Sequence, residues 1–326
     1  MPKGRYRILV LGGGSIGTRH ARNILGMGVG DVTVFEPDEE RRATVKRLLD
    51  VQAIADEDEA FAVSKPDIVF VCSPTALHVP QALRAVETGA HVFIEKPLSN
   101  TMDGVAELRE KTMQKQRVVM VGCNMRFHPG PSAVRELLTE ESIGIPLASR
   151  ISDGGYLPLW RPQQDYRKSY SASPTQGGAI LDCIHEIDLA LWYFGPGAVV
   201  GSCVLPATSI GLDTDGLAEM LIKHTSGVLS SVQVNFIQHD FRRSCHVIGT
   251  EGSLAWDIAR GTVERIGRNG VALEVRQQAW NWETNHMYLD ELKHFFHAVE
   301  RQTLPFGSLE EATQALAIAL AVRHHP

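Results

Sequence analysis

Short apolar runs recur along the first third of the chain: RILVLG (7–12), VTVFE (32–36), DIVFVCS (67–73), HVFIEK (91–96) and VVMVGC (118–123). They lack the apolar–polar alternation of a strand with one wet face, so they suit strands covered on both sides. Amphipathic stretches of helical length separate them, as at 39–50 and 101–115. Asn100 or Thr101 offers a cap for the second, and Asp103 falls in its electropositive first turn. Strand and helix in alternation predict a parallel, doubly wound sheet with ligands beyond the carboxyl ends of its strands.

From 198 to 277 the pattern changes. GVLSSVQVNF, SCHVIGTEGSLAWDI, GTVERIG and VALEVRQQ are rich in β-formers, and several alternate apolar with polar residues between glycine turns. That predicts a sheet with one wet face. Two helices close the chain. The last carries an apolar stripe of Leu309, Ala312, Leu316 and Leu320, with Ser308 and Glu311 spaced as a capping box. No repeat, low-complexity tract or flexible linker interrupts the chain. The expected division is 1–123 and 124–326, with the final helix (308–323) free to pack back on the first domain.

Length and composition fit this picture. A chain of 326 residues suggests about two domains, and 44% apolar with 21% charged residues is ordinary globular composition. A net charge of −6 argues against nucleic acid as a partner, which would want a basic face. Cys72, Cys123, Cys183, Cys203 and Cys245 are scattered and odd in number, as expected of buried thiols in a reducing compartment. The N-terminal apolar run is too short for a signal sequence, and nothing approaches the roughly 20 apolar residues of a membrane span. A cytoplasmic protein is the expectation.

The first strand-to-helix crossing reads VLGGGSIGTRH. Gly12 permits a tight turn, Gly14 lets the backbone approach a pyrophosphate, and Gly17 lets helix and strand pack closely. Free N–H groups and the helix dipole favour an anion there. Such a loop alone is a weak signal. Glu36, at the end of the next apolar run, supplies the second half of the fingerprint by accepting from the adenosine ribose hydroxyls. Its charge would repel a 2′-phosphate and so favour NAD over NADP, although Arg41 and Arg42 follow closely. The plain alternative is a solvated strand-end charge. In CSPTALHVPQAL (72–83), Pro74, Thr75 and His78 belong on the same rim as the glycine loop, where His78 either faces the cofactor or makes local hydrogen bonds.

The run AHVFIEKPLSN (90–100) sets an acid and a base, Glu95 and Lys96, at the mouth of a buried strand. In order, GxGxxG, SPTxxH, EKP, GCNMRFHP (122–129) and GGAILDCIHEIDLALWYFG (177–195) resemble the glucose–fructose oxidoreductase and inositol dehydrogenase superfamily (Gfo/Idh/MocA). The resemblance spans most of the chain. It implies an N-terminal α/β Rossmann domain, then an α+β domain whose large, mostly antiparallel open sheet roofs the active site and often forms the oligomer contact, as a homodimer or homotetramer. It also implies NAD held by Gly12, Gly14, Ser15, Ile16, Gly17, Glu36, Pro74, Thr75, His78, Glu95 and Lys96. Lys96 would reach the nicotinamide, and Arg126, Asp182 and His185 would face the substrate.

Hydride transfer from a secondary alcohol needs a proton acceptor and a donor to the oxygen. Histidine suits the first at neutral pH, so His185 is assigned as the base and Lys96 as the donor, with Asp182 orienting either or binding a hydroxyl. Asp182, His185 and Asp188 are spaced three apart, as on one helix face. One departure stands out: the family pattern has four residues from the aspartate to the histidine, not three. In DGGYLPLWRPQQDYRKSYSA (153–172), Trp160, Tyr166 and Arg167 resemble a W-x-P-x-x-D-Y-R segment of relatives in surface-sugar metabolism. They offer a sugar-ring face and an anion contact, or else form an ordinary loop with an aromatic plug. Asp290, His294 and His297 share helical turns, yet no metal is expected. The expected activity is NAD-dependent oxidation of a ring hydroxyl of a sugar, sugar acid or nucleotide sugar. A redox-neutral epimerase or lyase, or a silent NAD- and sugar-binding regulator, is the rival.

Overall fold

The computed structural model describes residues 5–323. The chain divides into two compact units, one holding the chain up to Gly122 together with Tyr288–Thr313, the other holding Cys123–Met287 and the chain from Gln314 onward.

Six parallel strands form the sheet of the first unit: β1 (Tyr6–Leu11), β2 (Gly30–Phe35), β3 (Gln52–Ile54), β4 (Ile68–Val71), β5 (His91–Ile94) and β6 (Val119–Val121). Their order is β3-β2-β1-β4-β5-β6, with the reversal between β1 and β4. The central strands are apolar throughout because both faces are covered: every residue of β4 is fully buried, as are Val92, Phe93 and Ile94 of β5. Phe70 and Phe93 stack at 5.0 Å, and Phe295 meets both edge-on at 5.6 Å. Each such ring contributes about 1.5–3 kcal/mol by leaving water. Phe295 lies on the helix Thr284–Arg301, so late residues complete this early core.

The helix of the second amphipathic stretch runs Val105–Lys115, shorter than 101–115. Neither Asn100 nor Thr101 caps it; Gly104, in the left-handed region at φ 73°, stands at its N-cap with no side-chain bond. Ser308 and Glu311 do form the reciprocal box: the Ser308 N–H donates to Glu311 Oε2 at 3.0 Å, and the Glu311 N–H to Ser308 Oγ at 3.4 Å.

The second unit holds eight strands: β7 (Pro146–Tyr156), β8 (Gly197–Pro206), β9 (Asp215–His224), β10 (Leu229–Asn235), β11 (Ile237–Gly249), β12 (Gly252–Asp257), β13 (Thr262–Gly267) and β14 (Ala272–Gln277). Their order is β14-β13-β12-β11-β7-β10-β9-β8, antiparallel except for β7 against β10. Residues 153–156, expected in a loop, are the end of the central strand β7. One face buries Ile151, Val232, Val247, Leu254 and Trp256. The helix His185–Phe194 lies over β7 and β10, and the helix Pro129–Thr139 over β12. The latter approaches so closely that a Cβ on Gly130 would fall 1.9 Å from the Trp256 indole nitrogen. Four cysteines are buried, whereas Cys203 is exposed on β8, contrary to expectation: β8 is the sheet's edge, and Cys203 points off its covered side.

Candidate active site

In the first unit the register aligns Leu11 with Phe35 and with Val71, and Val71 with Ile94. The segments that follow these strands therefore share one rim. Gly12 (φ 104°) turns the chain there, and a Cβ on it would fall 2.6 Å from the Cys72 carbonyl oxygen. A Cβ on Gly17 would meet the Gly12 carbonyl at 1.9 Å, so loop and helix touch. Over Gly14 a Cβ would meet nothing within 4 Å. Gly14 is also the N-cap of the helix Ser15–Met27, with no side-chain cap and no acid in the first turn. Space and undirected N–H groups thus coincide where a pyrophosphate would sit, and the loop fits a dinucleotide.

Glu36 is 4% exposed. Its carboxylate accepts from the Gly13 N–H at 2.8 Å and the Asp38 N–H at 2.9 Å, with Arg41 Nε 3.6 Å away. It is therefore built into the turn and is not a solvated strand-end charge. Arg42 donates to the carbonyls of Glu36 and Pro37. Pro74 is exposed and Thr75 buried on the same rim.

His78 makes local bonds on both sides, Nδ1 with the Pro97 carbonyl (2.8 Å) and Nε2 with that of Ser73 (2.9 Å). Its ring ties the turn after β4 to the turn after β5 and has no nitrogen left for a ligand. Burial holds its pKa below the usual value, against those two bonds and the nearby Glu95.

Glu95 also points inward. One oxygen lies 2.6 Å from His20 Nε2, and the other accepts the Lys96 N–H at 3.1 Å. Burial alone would raise this carboxyl, but His20, Lys96 and His78 outweigh it and hold the pKa below the ordinary value. The Lys96–Pro97 peptide is cis, and Lys96 is partly exposed. A cavity of about 590 Å³ in this unit lies elsewhere, lined by Arg109, Met113, Arg117, Val119 and Leu304 among others, and does not include this rim.

In the second unit the expected single helix over 177–195 is two, Ala179–Asp182 and His185–Phe194, with a break at Cys183–Ile184. Asp182 and His185, each 8% exposed, sit on either side of that break. The three-residue spacing therefore spans the break between the two helices. Asp182 accepts from Tyr170 Oη and, at 2.7 Å, from Ser171 Oγ. Both donors come from the segment before the helix, and the sequence reading did not single them out.

Arg126 is buried. It is 3% exposed and committed to Asp188 through two bonds of 2.9 and 2.6 Å. Asp188 is thus the internal counter-ion of Arg126. Glu186, beside His185, is fully buried, with Arg243 at 2.7 Å; Asp153 lies 3.8 Å beyond on the paired strand. Burial, reinforced by Asp153, pushes Glu186 up to about 8 although Arg243 pulls it down. Neither Glu186 nor Arg243 carries a motif that marks it in sequence.

The proposed sugar segment is a run of short turns. Trp160 is 41% exposed and stands edge-on to Phe236 at 5.1 Å. The Tyr166 hydroxyl donates to the Ile210 carbonyl at 3.0 Å, and exposed Arg167 pairs with Asp165 at 2.9 Å. Among the described residues no group of three His, Cys, Asp or Glu side chains is gathered as metal ligands. His294 Nε2 instead accepts the Phe306 N–H, and Asp290 pairs with Lys293. No described helix is long and apolar enough to cross a membrane.

Comparison with known proteins agrees with this arrangement. Residues 6–123 match the profile of the oxidoreductase family with an NAD-binding Rossmann fold, and residues 132–255 that of the GFO/IDH/MocA C-terminal domain. The chain is 28% identical to myo-inositol 2-dehydrogenase of Thermotoga maritima, over 97% of this chain and 95% of that protein. It is 26% identical to the NAD-dependent scyllo-inositol 2-dehydrogenase of Bacillus subtilis, over 97% and 93%. Levoglucosan dehydrogenase, solved with NADH and levoglucosan, superposes with a TM-score of 0.86 at 20% identity, over 97% and 95%. Two matched domains in order, on a sheet of order 3-2-1-4-5-6 with a glycine loop at its switch point, place the chain in the Gfo/Idh/MocA family of NAD-binding oxidoreductases.

Proposed function

We propose that the protein is an NAD-dependent dehydrogenase of a ring hydroxyl on a sugar, sugar acid or nucleotide sugar. The observation that carries this reading is the rim of the first unit, where the open ground over Gly14, the buried Glu36 carboxylate and the partly exposed Lys96 follow the ends of β1, β2 and β5 of one parallel sheet. The bound cofactor supplies the hydride acceptor. Lys96 donates to the substrate oxygen, His185 takes the hydroxyl proton, and Asp182 binds a neighbouring hydroxyl. Trp160, Tyr166 and Arg167 contribute to holding the sugar. The activities of the inositol and levoglucosan relatives support a polyhydroxylated ring as substrate class. Glu36 favours NAD over NADP, since a buried carboxylate repels a 2′-phosphate.

Self-association as a homodimer or homotetramer is part of the proposal. The uncovered face of the eight-stranded sheet carries Leu221, Leu229, Ile248 and Val275, 37–54% exposed, an area suited to a second copy. The free thiols suit the cytoplasm.

The test is NADH formation with a panel of polyols, sugars, sugar acids and nucleotide sugars. NADH stoichiometric with product is expected, together with loss of turnover in Lys96→Ala. Conversion of a sugar without accumulating NADH would instead establish the redox-neutral alternative, and full biological activity of Lys96→Ala the regulatory one.

A further inference from the structure

His20 stands on the helix that opens at the glycine loop and is fully buried. Its ring is enclosed by Phe93 at 5.1 Å, Phe70 at 5.7 Å and Tyr288 at 6.0 Å. From this apolar surrounding, Nε2 donates to the Glu95 carboxylate at 2.6 Å. The second carboxylate oxygen accepts the backbone N–H of Lys96, and the Glu95 N–H donates to the Val71 carbonyl. A continuous line of bonds therefore runs from the loop helix, through His20 and Glu95, to the turn that presents Lys96.

Stability does not call for this arrangement. A buried charge among phenyl rings is commonly replaced by apolar side chains without loss, and the cluster of Phe70, Phe93 and Phe295 would accept them. The groups facing Glu95 explain what the charge does instead. His20 comes from the loop helix, His78 from the helix after β4, and Lys96 follows in the chain. Cys72, at the end of β4, and Tyr288 and Glu291, on the helix Thr284–Arg301, complete the surroundings, with Arg19 lying 4.5 Å over the Tyr288 ring. Glu291 adds negative charge, so the carboxylate at 95 depends on the His20 donor and on the nearby Lys96 ammonium, which the rim partly exposes.

We propose that His20 is a positioning residue, which fixes the Glu95 carboxylate as a buried counter-charge so that Lys96 stays an ammonium and its turn stays locked to the glycine-loop helix. This rests on the reading of Lys96 as the donor to the substrate oxygen.

The experiment measures acylation of Lys96 in the full-length protein against pH, by mass spectrometry and without substrate. Removing the carboxylate in Glu95→Gln, or its donor in His20→Leu, lowers the apparent pKa of Lys96 by about one unit, so labelling at a fixed pH below it rises about tenfold. His20→Gln, whose amide N–H reaches the same oxygen, returns labelling to within about twofold of the parent. If His20→Leu does not fold, the isosteric Glu95→Gln carries the test. An identical Lys96 profile in the parent and Glu95→Gln, or the same shift in His20→Gln as in His20→Leu, overturns the proposal. A shifted profile together with full turnover of Lys96→Ala would retain the counter-charge and reject only the donor role.

Discussion

Arg126 and Asp188 form a two-pronged ion pair almost wholly out of water, their side chains 1% and 4% exposed. The Arg126 guanidinium also lies 5.5 Å over the Trp192 ring. The pair joins the turn after the domain crossing to the helix His185–Phe194, and so holds that helix in place.

Arg126→Ala leaves a buried carboxylate without its partner and should destabilise the protein by about 3–5 kcal/mol. Asp188→Ala should cost a similar amount, and the double variant much less than the sum. Urea unfolding of the four proteins checks this. Additive losses would show that the two side chains do not act as a pair.

His91 and His128 are both buried and neutral, each with a pKa lowered to about 4. Burial is the main cause, followed by Arg117 for His91 and Arg243 for His128. The unfolded rings take up protons below about 6.5 and the folded ones only near 4, so stability falls as the pH drops through that window, by at most about 3 kcal/mol per ring. Glu186, raised to about 8, acts in the opposite sense between about 8 and 4.5. The measurement is therefore a difference. His128→Asn keeps an acceptor for the Gly130 N–H and should show a flatter loss of stability from pH 6.5 to 4 than the parent.

Glu36→Ala should narrow the preference for NAD over NADP by about tenfold, some 1.4 kcal/mol, and weaken NAD binding as the Gly13 N–H loses its acceptor. Calorimetric titration with both cofactors tests this. Equal affinities in the parent protein would remove the role given to Glu36.

His185→Asn should lower turnover by about a hundredfold or more and abolish the limb of the pH–rate profile near neutrality. An unchanged rate and profile would mean that another group takes the proton.

The parallel sheet was legible because its central strands are buried on both faces and written as unbroken apolar runs. Gln52–Ile54 was not, because three residues at a sheet edge carry no periodic signal. β7 escaped for a different reason. Its tail, Asp153-Gly154-Gly155-Tyr156, reads as a turn, and only pairing with β10 and β11 makes it a strand. At the site, Glu36 and the glycines were placed by local pattern. Arg126, His78 and Glu95 each pair with a group that no local pattern marks: Asp188, the Pro97 carbonyl and His20. Spacing along one helix or strand carries no information about such partners.

Phe295 and Phe296 contact Phe70, and the Val121 N–H donates to the Gly307 carbonyl. Completion of the nucleotide-binding unit therefore waits on residues made only after the segment Cys123–Met287 of the second unit. A chain still emerging from the ribosome displays the Phe70 and Phe93 rings uncovered until those residues arrive. Protein synthesis stopped short of the helix Thr284–Arg301 leaves a sticky fragment for chaperones and proteases, although every loop of the dinucleotide fingerprint has already been translated.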